Sequence, residues 1–172
     1  LLKEPEVLAN NHRFEFDDAL GGYSYIGWNQ RRGDAATAFA DRRVRQAMTY
    51  LTDRQRIIDE VRLGYGTPAY GPFNPQLRQN NPELEARPYD PERARALLAE
   101  AGWVDRDGDG VLENAAGEPF EFELIYPAAS EDYKRALLLL KDLYLRAGVL
   151  MEPSPTDWPI MMDLLNKKDF DA

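Results

Sequence analysis

Apolar residues recur every three to four positions in five stretches of the chain, which is the pattern of an amphipathic helix. The spacing predicts helices over about Asp41 to Leu51, Thr52 to Gly64, Asp90 to Gly102, Glu131 to Ala147 and Asp157 to Asn166. Four of these begin at a residue whose side chain can accept a hydrogen bond from the free N–H groups of the first turn. The capping residues are Asp41, Thr52, Asp90 and Ser130.

The same periodicity predicts which side chains of each helix face the core. In chain order they are Val44, Ala47, Met48 and Leu51; Ile57, Ile58 and Val61; Ala94, Leu97, Leu98 and Ala101; Tyr133, Leu137, Leu140 and Tyr144; and Trp158, Met161, Met162 and Leu165. Each helix therefore has one buried face and one solvated face.

Alternating or aromatic-rich stretches predict strands between these helices. They are Arg13 to Asp17, Tyr23 to Trp28, Glu118 to Tyr126, Gly148 to Glu152, and a further start at Phe170. The order of elements predicts an α/β domain, a mixed sheet flanked by about five helices. The Pro-, Gly- and Asn-rich stretch from Gly64 to Tyr89 is too long for a passive connector, so we expect it to wrap the surface or to line a site.

Composition excludes several classes of function. The 172 residues carry 21 Lys+Arg against 30 Asp+Glu, a net charge of −9 without a basic block, which argues against nucleic acid as a partner. There is no cysteine and one histidine, His12, so disulfides, thiol catalysis and Cys- or His-rich metal sites are excluded. The longest apolar run, Leu137 to Leu140, is far below the roughly 20 residues of a membrane span.

The ends of the chain have the character of cut ends. It opens on LLKEPEVLANN, without an initiator Met or a charged and then apolar leader, and it closes on NKKDFDA. We therefore expect a segment of a longer protein.

The sharpest local motif is DRDGDGVLE. Asp105, Asp107 and Asp109 stand at positions 1, 3 and 5 of a calcium-binding loop, and Glu113 stands at position 9. Position 12, which normally closes such a loop with a bidentate carboxylate, is Ala116. The motif therefore has two interpretations, a small calcium-binding structural module or an acidic turn held by Asp side chains.

Other clusters of aromatic or charged residues indicate a binding site less specifically. The rings of Gly21 to Gln30, GGYSYIGWNQ, could line a ligand groove or pack into the core, and the same alternatives hold for Trp158. For Arg42, Arg43 and Arg45, a solvated helix face with salt bridges is favoured over anion binding. The sequence has no nucleophile elbow, phosphate-binding glycine motif or metalloprotease helix, so we expect a protein that is not an enzyme.

Several motifs, in order, resemble one family. FADRRVRQAMTYLTDRQRI, from Phe39 to Ile57, is similar to a conserved block of the extracytoplasmic solute-binding proteins of family 5, the peptide-, dipeptide- and nickel-binding receptors of ABC transporters. The resemblance continues in GYGTPAYGPFNP, YDPERARALLAEAGW and the closing DWPIMMDLLNKKDFDA, and so covers nearly the whole chain.

The resemblance implies a periplasmic-binding-protein-type lobe. The chain would be the central part, residues 1–172, of the large C-terminal lobe of a two-lobed receptor, with the other lobe and the return to the hinge lying outside it. Such a receptor captures oligopeptides or dipeptides outside the cytoplasmic membrane, passes them to membrane permease subunits, and is periplasmic or lipid-anchored. Nickel, haem and sugar remain alternative ligands, and no resident cofactor is implied. At the expected cleft, the candidate ligand-binding residues are Tyr23, Tyr25, Trp28, Asn29 and Trp158.

Overall fold

The computed structural model describes residues 4–12, 14, 22–75 and 77–172. Its helices are α1 (Pro5–Asn10), α2 (Arg42–Leu51), α3 (Arg54–Glu60), α4 (Pro91–Glu100), α5 (Glu131–Leu145) and α6 (Trp158–Lys167). Its strands are β1 (Arg31–Arg32), β2 (Ala35–Ala36), β3 (Glu121–Pro127) and β4 (Leu150–Thr156). The five helices that the apolar spacing predicts are all present, and the α/β class is confirmed.

Three of the four predicted caps are confirmed. The side chains of Asp41, Asp90 and Ser130 accept hydrogen bonds from backbone N–H groups at 2.7 Å, 2.9 Å and 3.3 Å. The prediction for Thr52 is wrong, because Asp53 caps α3 by accepting from the N–H of Arg56 at 3.0 Å. The hydroxyl of Thr52 instead donates back to the carbonyl of Met48 at 2.8 Å, which ties it to the end of α2.

Strands β3 and β4 form a parallel pair, and α5 is the crossover between them. All seven residues pair in register, from Glu121 with Leu150 to Pro127 with Thr156. A helical crossover is the usual connection for parallel neighbours. Strand β4 runs four residues past the predicted end at Glu152, and the two prolines in this extension mark it as an edge strand.

The last residue pairs with the other edge of β3. Ala172 donates its N–H to the carbonyl of Glu123 at 3.2 Å, and its carbonyl accepts from Ile125 at 3.0 Å, which is the pattern of a parallel pair. Phe170, the predicted strand start, belongs to no strand in the structure, and the backbone pairing with β3 is made by Ala172. Strand β3 lies between this residue and β4.

One contiguous core lies on a single face of the sheet. Phe122, Leu124 and Tyr126 of β3 point into it, and α2, α4 and α5 cover it. The predicted inward residues of α2 are all fully buried, as is Tyr144 of α5. Burial of this apolar face is the main stabilising contribution to the fold.

One strand prediction for the N-terminal third is wrong, and another lies almost wholly outside the described residues. Tyr23 to Trp28 belongs to no strand, and the short hairpin β1–β2, with Arg31 opposite Ala36, follows it instead. The predicted strand from Arg13 to Asp17 lies outside the described residues, apart from Phe14.

The predicted inward face of α6 is wrong for half of its residues. Trp158 is 60% exposed and Met162 is also exposed, whereas Met161 and Leu165 are half-buried. The helix packs against β3, and Trp158, Ile160 and Met162 on its outer side are exposed. Tyr133, predicted to face inward on α5, is likewise exposed, because it lies in the first turn, beyond the core. Within the described ranges, no helix has the length and apolar character to cross a membrane.

Candidate functional site

An open cavity of about 400 Å³ lies between two segments that the sequence separates widely. One wall is Tyr23, Ser24 and Tyr25, and the other is the loop segment Ala69 to Pro72. Tyr25 is 78% exposed, and Tyr23 and Tyr70 are exposed as well. Exposed tyrosines offer a flat apolar surface with a hydroxyl at its end, which suits contact with an organic ligand.

The first wall is held against the beginning of α5. The Ser24 hydroxyl lies 3.1 Å from the Tyr133 hydroxyl, and the rings of Tyr23 and Tyr25 lie 6.0 Å apart at an angle of 47°. Tyr133 sits in the first turn of α5, just after the carboxyl end of β3 at Pro127. The cavity therefore lies near the carboxyl end of the sheet, where α/β folds bind ligands.

Trp28 and Asn29 do not line this cavity. The Trp28 ring packs on Phe39 at 4.7 Å and on Phe122 at 5.8 Å. The Asn29 side-chain amide donates to the carbonyls of Lys168 at 3.0 Å and Phe170 at 2.7 Å. The two residues thus anchor the aromatic segment, one to the core and one to the C-terminal end of the chain.

Of the five predicted ligand-binding residues, the structure brings Tyr23 and Tyr25 together in the cavity. Trp158 is exposed on α6 and does not line it. The sequence does not single out the opposite wall, Ala69 to Pro72, as a binding segment. Its only sequence signal is the length of the loop, which predicted a surface wrap or a site without indicating which residues would line it.

The Asp105–Glu113 loop does gather its carboxylates. One oxygen from each of Asp105, Asp107, Asp109 and Glu113 can be chosen so that all four lie within 4.8 Å of one another, and Glu113 is only 8% exposed. Hard oxygen ligands at such spacing are what Ca²⁺ requires.

The same carboxylates already close the loop on itself. Asp105 accepts from the N–H groups of Gly108 at 2.7 Å and Gly110 at 3.1 Å, and Asp109 accepts from Val111 at 2.7 Å. Glu113 accepts from the N–H of Arg106 at 2.8 Å. These bonds are those of an acidic turn, so the geometry accommodates both interpretations of the motif and favours the turn.

The arginine cluster at the start of α2 is structural. Arg43 pairs with the capping carboxylate of Asp41 at 2.6 Å, and this pairing lowers the pKa of Asp41. Arg45 donates to the carbonyls of Phe39 at 2.6 Å and Ala40 at 2.9 Å. The interpretation as a salt-bridged helix face is therefore supported for Arg43, while Arg45 caps the preceding turn.

Residues 3–172 match the protein family described as "Bacterial extracellular solute-binding proteins, family 5 Middle". The chain is 33% identical over 168 residues to the oligopeptide-binding protein AppA of Bacillus subtilis, an alignment that covers 95% of this chain and 30% of AppA. It is 32% identical over 135 residues to heme-binding protein A of Haemophilus influenzae, covering 78% of this chain and 22% of that protein.

The fold is shared as well as the sequence. The structure of AppA in complex with a nonapeptide aligns with a TM-score of 0.77 at 29% identity, over 86% of this chain and 29% of the AppA chain. The chain thus spans less than a third of the length of the relatives that it matches. On the match over residues 3–172, the chain belongs to the bacterial extracellular solute-binding proteins of family 5.

Proposed function

We propose that this chain forms part of the ligand-binding lobe of an ABC-transporter receptor that captures oligopeptides outside the cytoplasmic membrane. The observation that carries the proposal is the tyrosine-lined cavity in a chain of this family. The relative that aligns over 95% of the chain is an oligopeptide-binding protein, which favours a peptide over haem, nickel or sugar. We propose binding without catalysis, so turnover of a bound peptide would contradict it.

The openness of the cavity suits one half of a two-lobed site. We propose that residues 1–172 are the central part of a C-terminal lobe, and that a second lobe closes over the tyrosines by hinge motion. Alignment over only 30% of the length of AppA supports this. The partners would then be membrane permease subunits, and the receptor would be periplasmic or lipid-anchored.

Tyr23, Tyr25 and Tyr70 are the residues that we propose contact the ligand. Replacing an exposed ring removes contact area without opening the core, so Tyr25→Ala and Tyr70→Ala should weaken peptide binding while the melting temperature hardly changes. The test is titration calorimetry of the full-length receptor with penta-alanine, and we expect at least a roughly tenfold rise in Kd for each variant.

Two further variants make this test specific. Leu138→Ala removes an apolar side chain of α5 that is 54% exposed and does not line the cavity, and it should leave Kd unchanged. Trp28→Ala should act mainly through stability, since its ring packs on Phe39 and Phe122. Wild-type affinity in both Tyr variants would overturn the assignment of the cavity. Trp158 and Asn29 can be measured in the same series, Asn29 for stability and Trp158 for affinity.

A further inference from the structure

Arg54 is a half-buried cation whose hydrogen bonds go to main-chain carbonyls. Its guanidinium donates to the carbonyl of Arg87, and it also donates to the carbonyl of Thr49 at 3.4 Å. Burial lowers the pKa of Arg54. Placing a cation in such surroundings costs free energy, and a guanidinium with several fixed donors can offset that cost by joining separate backbone segments.

Two further contacts in the same region hold the C-terminal end of the loop, at residues 87–90. The Arg87 guanidinium lies over the Tyr50 ring at 6.0 Å, and the N–H of Asp90 donates to the carbonyl of Tyr50 at 2.9 Å. We call these contacts, made by Tyr50, Arg54, Arg87 and Asp90, the loop strap. It fastens residues 87–90 to the junction of α2 and α3.

The strapped loop carries one wall of the cavity. Tyr70 to Pro72 lie within it, and the side chain of Leu84, three residues before Arg87, lies beside Gly71, where a Cβ would be 3.6 Å from it. Further hydrogen bonds in the described part of the loop form local turns, such as that from the Leu77 N–H to the Asn74 carbonyl at 2.9 Å. A shift of residues 84–87 would therefore move the Leu84 side chain that lies beside the Tyr70 wall.

We propose that Arg54 is a positioning residue for the candidate binding site, holding the loop so that Tyr70 faces Tyr23 and Tyr25 across the cavity. The part of this inference that concerns ligand affinity rests on the proposed function. Its structural half, that Arg54 orders residues 65–89, can be tested without any ligand. Arg54 touches no ligand in this scheme and acts only through the loop.

The test compares Arg54→Ala and Arg54→Lys with a control on the same helix, in the full-length receptor. Arg56→Ala removes an exposed ion pair with Glu60, 2.7 Å long, and should change nothing in the loop. Amide hydrogen exchange should accelerate in residues 65–89 of Arg54→Ala but not in α5, and the Kd for penta-alanine should rise about tenfold. Arg54→Lys, which keeps the charge and one donor group, should restore part of both.

Two results would overturn the proposal. One is unchanged exchange in the loop of Arg54→Ala. The other is uniform acceleration across the molecule with a lowered melting temperature, which would make Arg54 a general stabilising residue. If wild-type receptor binds no penta-alanine while exchange in the loop still depends on Arg54, the proposed function fails and the positioning role stands.

Discussion

Gly148 lies in the turn between α5 and β4, where it contacts the Asp105–Glu113 loop closely. Its φ is +81°, and a Cβ at this position would lie 2.8 Å from Leu112 and 2.9 Å from the carbonyl oxygen of Gly110. Gly148→Ala therefore combines left-handed backbone strain with a backbone clash. We expect the free energy of unfolding, measured by urea denaturation, to fall by about 2–4 kcal/mol.

The matched control for this prediction is Gly117→Ala. Gly117 has a nearly identical φ of +79°, but a Cβ there would meet no atom within 4 Å. Only the backbone cost remains, about 1–2 kcal/mol. Equal losses in the two variants would show that the contact with the Asp105–Glu113 loop contributes nothing.

Tyr144 provides a prediction about pH. It is fully buried, its hydroxyl lies 2.9 Å from that of Thr52, and burial raises the pKa of Tyr144 to about 12. An unfolded tyrosine ionises near pH 10, so the unfolded state releases this proton first as pH rises. The stabilising contribution is complete below about pH 10 and is lost as pH rises towards 12.

Tyr144→Phe should accordingly cost about 1 kcal/mol of unfolding free energy at neutral pH, because one buried hydrogen bond is removed. The difference from wild type should shrink at about pH 11, where wild type loses stability by ionising on unfolding. Urea denaturation at the two pH values measures it. A difference that is independent of pH would contradict the raised pKa.

At the scale of elements, a helix or strand could be predicted from sequence where its apolar periodicity and its capping or proline residues agreed. Helices α2, α4 and α5 were predictable because apolar periodicity and a capping side chain agree at each. The far end of β4 was hidden by Pro153 and Pro155, which favour edge positions over strand interiors. The exposed side of α6 could not be predicted, because periodicity identifies an apolar face but not whether a neighbour covers it.

The cavity was only half predictable for a similar reason. An aromatic-rich segment at Tyr23 and Tyr25 is visible in the sequence, but the opposite wall comes from a loop whose end contacts α2 and α3. Trp28 and Asn29 share the segment with the tyrosines, yet they face the core and the C-terminal end. An irregular segment has no repeat from which the direction of its side chains can be predicted.

The Asp105–Glu113 loop yields a prediction about calcium. Asp105, Asp109 and Glu113 each accept a backbone hydrogen bond in the loop as it stands, and no carboxylate occupies position 12. We expect the acidic turn, so about 1 mM calcium, enough to fill a weak extracellular site, should leave the melting temperature of the full-length receptor unchanged. A rise that is abolished by Asp107→Asn would establish a calcium site instead.

At the scale of the whole molecule, β3 pairs with β4 along one edge and with Ala172 along the other. The two helical crossovers, α5 and α6, therefore lead to opposite edges of β3. The chain leaves β3 through α5 to reach β4, then returns through α6 to pair with the opposite edge of β3. Such a reversal creates a crevice at the carboxyl ends of the strands. The contact between Tyr133 and Ser24 puts the tyrosine-lined cavity beside that end of β3, so topology and side-chain chemistry point to the same place.

Because the cavity is open, the surface of a bound ligand that it can bury depends on what closes over it. A ligand on the walls of Tyr23, Tyr25 and Tyr70 alone leaves most of its surface in water, so little apolar area is buried to offset the entropy lost on binding. We therefore expect the 172-residue chain, expressed by itself, to bind penta-alanine at least about a hundredfold more weakly than the full-length receptor. Circular dichroism of the isolated chain must first show the helical content of α2, α4 and α5, so that weak binding is not mistaken for unfolding. Equal affinity in the two proteins would place the whole site on this chain and contradict the two-lobed proposal.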